Sequence, residues 1–465
     1  MLDTYVPEAD DGRTLGPNPY MSARMWLPLQ QIPNPRALIN AAVFTYEDPN
    51  SGDVREVRLA EQIGDYLVIA RHLFENWDEL VDGYAKPKFV YEYVPFEDHI
   101  TPRNADQVRA WAALEAADHG ILNLGCGKGK TVMALKKIAS KSGPGVVICP
   151  AGIIDQWIER AEEHLKLPRD QIGIVRQKKR EWDKPLVICS IDTLVGLVDD
   201  IPMEIRTRFQ TVFFDEVHHL AAKTFLKTAP LFFGDRFGLT ATPERKDGLE
   251  PVYYAHLGEI FYSDTKGDLT AQVIINQVDT EIDLRRREVR DVRGELSVGK
   301  LRTYLGTIPS RNRIILRNVA KALQRGRKIL VLTHSADHVP ILHEKAVANP
   351  IISQYDVGLV LQRHKVPKRL ATIRGSDVSF ATMGVAAEAL DAARLDTLFI
   401  CTPFASWTEF VQARGRIERA LEGKKDPIMV IFDDHKVNPA HYMLRKLLRR
   451  MKVEGVKYTT LHEGT

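Results

Sequence analysis

From residue 120 onward the chain alternates short apolar runs with helical stretches. Runs at 121–124, 146–149, 186–189, 211–214 and 237–240 are apolar throughout or nearly so. Strands of that kind are buried on both faces, which predicts a parallel sheet flanked by helices. The rhythm returns at 328–332, 357–360, 378–380, 397–400 and 427–432. The pattern predicts an α/β protein with two tandem parallel-sheet domains, 98–264 and 265–440. Between them the chain is polar and charge-rich. The joint is expected near 264–268, and 285–300 reads as a mobile insertion. Residues 1–97 differ in kind. A proline-rich opening (Pro17, Pro19, Pro28, Pro33, Pro35) precedes alternating stretches at 41–46 and 54–59, the mark of a small β-rich accessory domain. Residues 441–465 read as a basic tail. It carries Arg445, Lys446, Arg449, Arg450, Lys452 and Lys457, and serves either as duplex contacts or as a capping helix.

Composition narrows the picture only a little. With 465 residues, 44% hydrophobic and 27% charged, the chain has room for two or three ordinary globular cores. No apolar run is long enough to span a bilayer. The amino terminus lacks a basic-then-apolar order, so a cytoplasmic protein with no membrane partner is expected. The four cysteines are Cys126, Cys149, Cys189 and Cys401, with no CxxC pair, which points to reduced thiols rather than a cysteine metal site. A net charge of +3 does not by itself demand a nucleic-acid partner. Local basic clusters at 176–180, 285–287 and 363–365 permit phosphate contacts and equally suit solvated faces.

The chemistry-bearing stretches lie at the ends of the apolar runs. The first is Leu124-Gly125-Cys126-Gly127-Lys128-Gly129-Lys130-Thr131, between a strand and a helix. Glycines let successive N–H groups face a phosphate, and the helix N-terminus adds partial positive charge. Lys130 would reach the β/γ-phosphates and the Thr131 hydroxyl would coordinate Mg²⁺. The second is Phe213-Phe214-Asp215-Glu216-Val217-His218-His219. Asp215 would hold Mg²⁺, Glu216 would polarise the attacking water, and His218 would relay the nucleotide state. Thr240 and Thr242, in Gly238-Leu239-Thr240-Ala241-Thr242-Pro243, are placed to couple the γ-phosphate to movement. Last comes Gln412-Ala413-Arg414-Gly415-Arg416-Ile417-Glu418-Arg419. Arg416 and Arg419, three apart, are expected on one helix face as arginine fingers, with Gln412 on the phosphate or the water.

In this order the stretches resemble the motifs of superfamily 2 helicases, over roughly residues 102–434. The spelling is similar to the XPB-like and UvsW-like group and to branch-migration DNA helicases of tailed bacteriophages. The resemblance implies RecA-like domains, ATP and Mg²⁺ as cofactors, and a nucleotide served by both domains. It also implies further roles. Gln107 resembles the glutamine that reads adenine. Pro150, Ser190, Thr193, Thr333 and Thr382 resemble residues touching the nucleic-acid backbone, and Asp391 a residue on the nucleotide side. Ala389 stands where such proteins usually carry glycine.

The resemblance implies a DNA-dependent ATPase, expected as a monomer, which remodels forks or Holliday junctions in replication, recombination or repair. An RNA helicase shares every motif, although Val217 and the XPB-like spelling lean toward DNA. A restriction-system motor would need a nuclease partner, and no nuclease constellation is evident. A non-catalytic, ATP-switched clamp is disfavoured by Glu216, Arg416 and Arg419.

Overall fold

The computed structural model describes residues 8–47, 53–74, 77, 80–125, 127–217, 226–243, 248–388 and 392–463. The chain forms two compact units, Met1–Thr265 and Lys266–Thr465.

The first unit opens with antiparallel strands. A four-stranded sheet, β1-β2-β6-β5, is built from β1 (Tyr20–Met21), β2 (Arg24–Pro28), β5 (Ala60–Ile63) and β6 (Tyr66–Ala70). A hairpin pairs β3 (Val43–Glu47) with β4 (Val54–Arg58). The sheet does not stand alone. Met25, Leu27, Leu67 and Ile69 share a core with Leu249, Val252 and Ala255 at the helix Glu250–Leu257. The buried Arg236 guanidinium donates to the carbonyls of Ala23 and Phe232, both at 2.8 Å. A charged group so far from water needs such partners, so it ties the opening segment to the sheet that follows.

That sheet has eight strands: β7 (Gly120–Leu124), β8 (Gly145–Cys149), β9 (Ile172–Arg176), β10 (Lys179–Arg180), β11 (Leu186–Ser190), β12 (Thr211–Asp215), β13 (Asp235–Thr240) and β14 (Ile260–Asp264). The order is β10-β9-β11-β8-β12-β13-β7-β14. All neighbours are parallel except the β9–β10 pair. Strands β7, β8, β11 and β12 are buried at every position, as their apolar sequences require.

The second unit is a seven-stranded, wholly parallel sheet: β15 (Gln272–Val278), β16 (Ile329–Thr333), β17 (Val357–Leu359), β18 (Val378–Thr382), β19 (Thr397–Ile400), β20 (Ile428–Asp433) and β21 (Tyr458–Glu463), in the order β17-β18-β16-β19-β20-β15-β21. The stretch 285–300 is mostly exposed but is anchored at one point: Val289 is fully buried against Leu301, Leu305, Val437 and Ala440, with Leu296 packed beside it. For 441–465 the capping-helix reading is the one that agrees with the structure: the helix Asn438–Val453 buries Leu444, Leu447 and Met451, and β21 completes the sheet beside β15. The basic residues occupy the other face of an amphipathic helix, whose apolar stripe pays the cost of ordering.

Candidate nucleotide site and strand-end polar residues

In a parallel sheet all strands end on one edge, where loops gather and ligands bind. The candidate residues of the first unit collect there. The glycine loop follows β7, Asp215 ends β12, Thr240 ends β13, Pro150 follows β8 and Ser190 ends β11. The strand order sets β7, β13 and β12 side by side, so the loop, the threonine and the acids are neighbours despite wide separation in sequence.

The loop is held by its surroundings. The Gly125 amide donates to the Asp264 carbonyl at 2.9 Å, and a Cβ there would lie 2.8 Å from the Thr265 oxygen. Gly129 has φ +94°, and a Cβ there would meet the Gln107 amide nitrogen at 2.8 Å. Gly127 is also left-handed, at φ +81°. The helix Lys130–Lys141 begins immediately after Gly129, with no side chain capping its first turn. Its leading amides and dipole are therefore free to serve an anion, and the loop fits a phosphate chain. Lys130 Nζ donates to the Leu124 carbonyl at 3.0 Å across the base of the loop, and Thr131 lies in the first turn. Cys126 lies outside the described residues.

Gln107 is buried on the helix Ala105–Ala116. Its Oε1 accepts from the Arg103 amide at 2.9 Å, and its Nε2 donates to the Lys128 carbonyl at 3.0 Å. The glutamine thus braces the loop. Lys128 does so as well: its ammonium bridges Asp264 at 2.8 Å and Asp106 at 3.3 Å.

Asp215 is the electrostatic centre. Its Oδ2 accepts from Trp157 Nε1 and its Oδ1 from the Glu216 amide, both at 2.9 Å. Burial, with the Glu216 charge adding, pushes its carboxyl up to about 7, against the pull of Lys130 and the Trp157 hydrogen bond. Glu216 has φ +52°, so the chain turns sharply as it leaves β12. Thr240 Oγ1 accepts the Thr242 amide at 3.1 Å, and both residues are buried. His218 lies outside the described residues.

The nucleic-acid candidates divide. Ser190 and Thr333 are each 1% exposed, which corrects the expectation that their side chains reach a phosphate. Thr333 Oγ1 accepts the Ser335 amide and contacts His338 Nδ1, both at 3.2 Å. Thr193 Oγ1 accepts the Gln177 amide at 2.9 Å, fixing the turn between β9 and β10. Thr382 Oγ1 accepts the Val385 amide at 3.3 Å at the head of the helix Met383–Glu388. Asp391 lies outside the described residues.

A family profile described as "Type III restriction enzyme, res subunit" matches residues 97–245. A putative ATP-dependent RNA helicase of Acanthamoeba polyphaga mimivirus is 25% identical over 79% of this chain and 70% of its own length. A DNA 3'-5' translocase XPB2 of Sulfurisphaera tokodaii is 31% identical over 40% of this chain and 41% of its own length. A probable helicase of Escherichia phage T5 is 25% identical over 70% of both. Among solved structures, S. cerevisiae Dbp5 bound to RNA and ADP BeF3 superposes with TM-score 0.53 at 11% identity, over 76% of this chain and 88% of that one. That likeness is one of fold, and the fold is RecA-like. The profile match and these relatives make the chain similar, over part of its length, to XPB-like and phage helicases.

The second unit carries the Gln-x-x-Gly-Arg-x-x-Arg run on and just after the helix Trp407–Ile417. Gln412 and Arg416 are on that helix and half-buried. Arg419 is not: the helix stops at Ile417 and Glu418 caps it, which corrects the shared helix face. Glu418 explains the stop. Its carboxylate accepts from the Ala271 amide at 2.8 Å and pairs with Arg414 at 3.1 Å, while its carbonyl accepts from the Leu269 amide at 2.9 Å. His334 joins Thr402 at 2.7 Å and Glu409 at 3.0 Å, linking the end of β16 to the same helix. Sequence reasoning missed Trp157 as the donor to Asp215, and missed Lys128, Glu409 and Glu418. Only the basic Lys128 inside a phosphate loop offered a signal. The others act through partners far away in the chain.

Proposed function

We propose that this protein is an XPB/UvsW-like superfamily 2 helicase that couples ATP hydrolysis to movement along DNA and remodels branched DNA such as forks and four-way junctions. The observation that carries the reading is the strand-end cluster of the first unit: the glycine loop after β7, Thr240 at the end of β13 and Asp215 at the end of β12 lie on adjacent strands, and burial raises the Asp215 carboxyl. A divalent cation there restores the charge that burial opposes. Thr131 and Asp215 would hold the Mg²⁺ of MgATP, which screens the phosphates. Gly125, Gly127, Gly129 and the helix N-terminus receive those phosphates, and Lys130 reaches the β/γ-phosphates. Glu216 orients and deprotonates the attacking water. Gln107 keeps a second N–H for an adenine edge. Arg416 and Arg419, with Gln412, supply positive charge to the transition state, while Thr240, Thr242 and His218 pass the nucleotide state onward. Asp391 serves the nucleotide side. Pro150, Thr193 and Thr382 mark the strand ends nearest to nucleic-acid backbone contacts. The name of the Sulfurisphaera relative, a DNA translocase, supports DNA. That of the mimivirus relative supports RNA as the second reading.

The test is ATP turnover with purified protein and single strands, duplex, fork, four-way junction or RNA. Branched DNA is expected to stimulate most, with stimulation falling steeply as salt rises because phosphate contacts dominate. Equal stimulation by RNA would transfer the assignment to the second reading. Lys130→Ala is expected to abolish turnover while retaining DNA binding, and full turnover in that variant would overturn the nucleotide site.

A further inference from the structure

The second unit carries a cluster that ATP chemistry does not use. Asp279 follows β15, His435 lies just past β20, and His462 is on β21, so the three meet on the edge where these adjacent strands end. Asp279 Oδ1 lies 3.3 Å from His435 Nε2 and 3.6 Å from His462 Nε2. One ligand atom from each residue falls within 4.8 Å of the others. Tetrahedral zinc with bonds of about 2.0–2.1 Å sets its ligand atoms roughly 3.3 Å apart, close to these separations. The carboxylate is already oriented. Lys436 Nζ holds Oδ2 at 3.1 Å and also pairs with Glu281 at 3.3 Å, leaving Oδ1 toward the imidazoles. Oδ1 is buried and makes no hydrogen bond among the described residues. The Lys436 charge opposes a cation, and Glu281 offsets it.

We propose that Asp279, His435 and His462 bind one divalent transition-metal ion of the zinc class, with water in the fourth position. Two imidazoles and a carboxylate suit zinc over magnesium, which prefers six oxygens. The ion clips β21, an edge strand paired only with β15, to the turn after β20. It ties the C-terminal strand to the sheet, apart from the glycine loop of the first unit.

The test uses the full chain stripped with chelator and then titrated with Zn²⁺ by calorimetry and with Co²⁺ by visible absorption. One equivalent is expected to bind the second unit's site, with the intense d–d bands of low coordination, and to raise the melting temperature by mass action. His462→Ala and His435→Ala are each expected to weaken that binding by at least about tenfold and to erase both the bands and the thermal shift. Lowering the pH to protonate the imidazoles is expected to release the ion. Absence of binding, or binding and bands unchanged in both variants, would overturn the site and leave an ion-pair cluster only.

Discussion

Each unit buries a carboxylate at the carboxyl edge of its sheet, and the two are treated in opposite ways. In the second unit Asp434 follows β20 with no exposure. Arg311 grips it through Nε to Oδ1 at 2.7 Å and Nη2 to Oδ2 at 2.9 Å, and Thr280 donates to Oδ1 at 2.7 Å. Burial pushes the Arg311 guanidinium down, and the Asp434 charge more than reverses it. In the first unit Asp215 receives two neutral donors, Trp157 and a backbone amide, and stands beside another acid. A compensated carboxylate holds a fold together. A carboxyl denied compensation is poised to take a cation, and functional sites collect groups of this kind.

That contrast can be broken by variants. The largest effect is expected from Arg416→Ala, which should lower kcat by roughly 10³ if it meets the transition state as an arginine finger, with urea stability moved by less than about 1 kcal/mol. A kcat within a few-fold of wild type would remove Arg416 from the chemistry. Arg311→Met should do the reverse: stability falls by about 3–5 kcal/mol, because Asp434 is left charged and buried. Pairing it with Asp434→Leu should recover most of the loss, as read from urea midpoints.

Asp215 supplies a pH signature. Its carboxyl is raised in the folded state, so the folded protein binds the proton more tightly than the unfolded chain, whose carboxyl titrates near about 4. The stability this proton confers is present at low pH and is lost as pH climbs through about 7. Without nucleotide and Mg²⁺, the melting temperature of Asp215→Asn should fall less than that of wild type between pH 5 and pH 8. Parallel curves would show that Asp215 is already compensated. The smallest effect is expected from Trp157→Phe. Removing one hydrogen bond to the charged form should raise the half-saturating Mg²⁺ concentration by about two- to tenfold, measured by ATP turnover.

Much of this was legible in the chain. The apolar runs at 186–189 and 211–214 become strands buried at every position, because a parallel sheet covered on both faces leaves its central strands no exposed side. The placement of the glycine loop at 124–131 between a strand and a helix was equally readable, and β7 and the helix Lys130–Lys141 flank it. Arg419 was misplaced because helical spacing does not register a cap: Glu418 ends the helix by bonding to Ala271, 147 residues away. The basic stretch after 441 looked like a tail because its charges outnumber its apolar positions, yet Leu444, Leu447 and Met451 suffice to bury one face.

By itself the sequence determined the α/β class and a glycine loop between a strand and a helix, because periodicity and local backbone freedom are properties of neighbouring residues. The tertiary structure alone decided what surrounds each polar group. Burial and the Glu216 charge outweigh the Trp157 hydrogen bond and Lys130 at Asp215, Arg311 and Thr280 neutralise Asp434, and Asp279, His435 and His462 meet at one edge. These outcomes depend on burial and on partners that only strand order brings together, and the free energy of a charge depends on both.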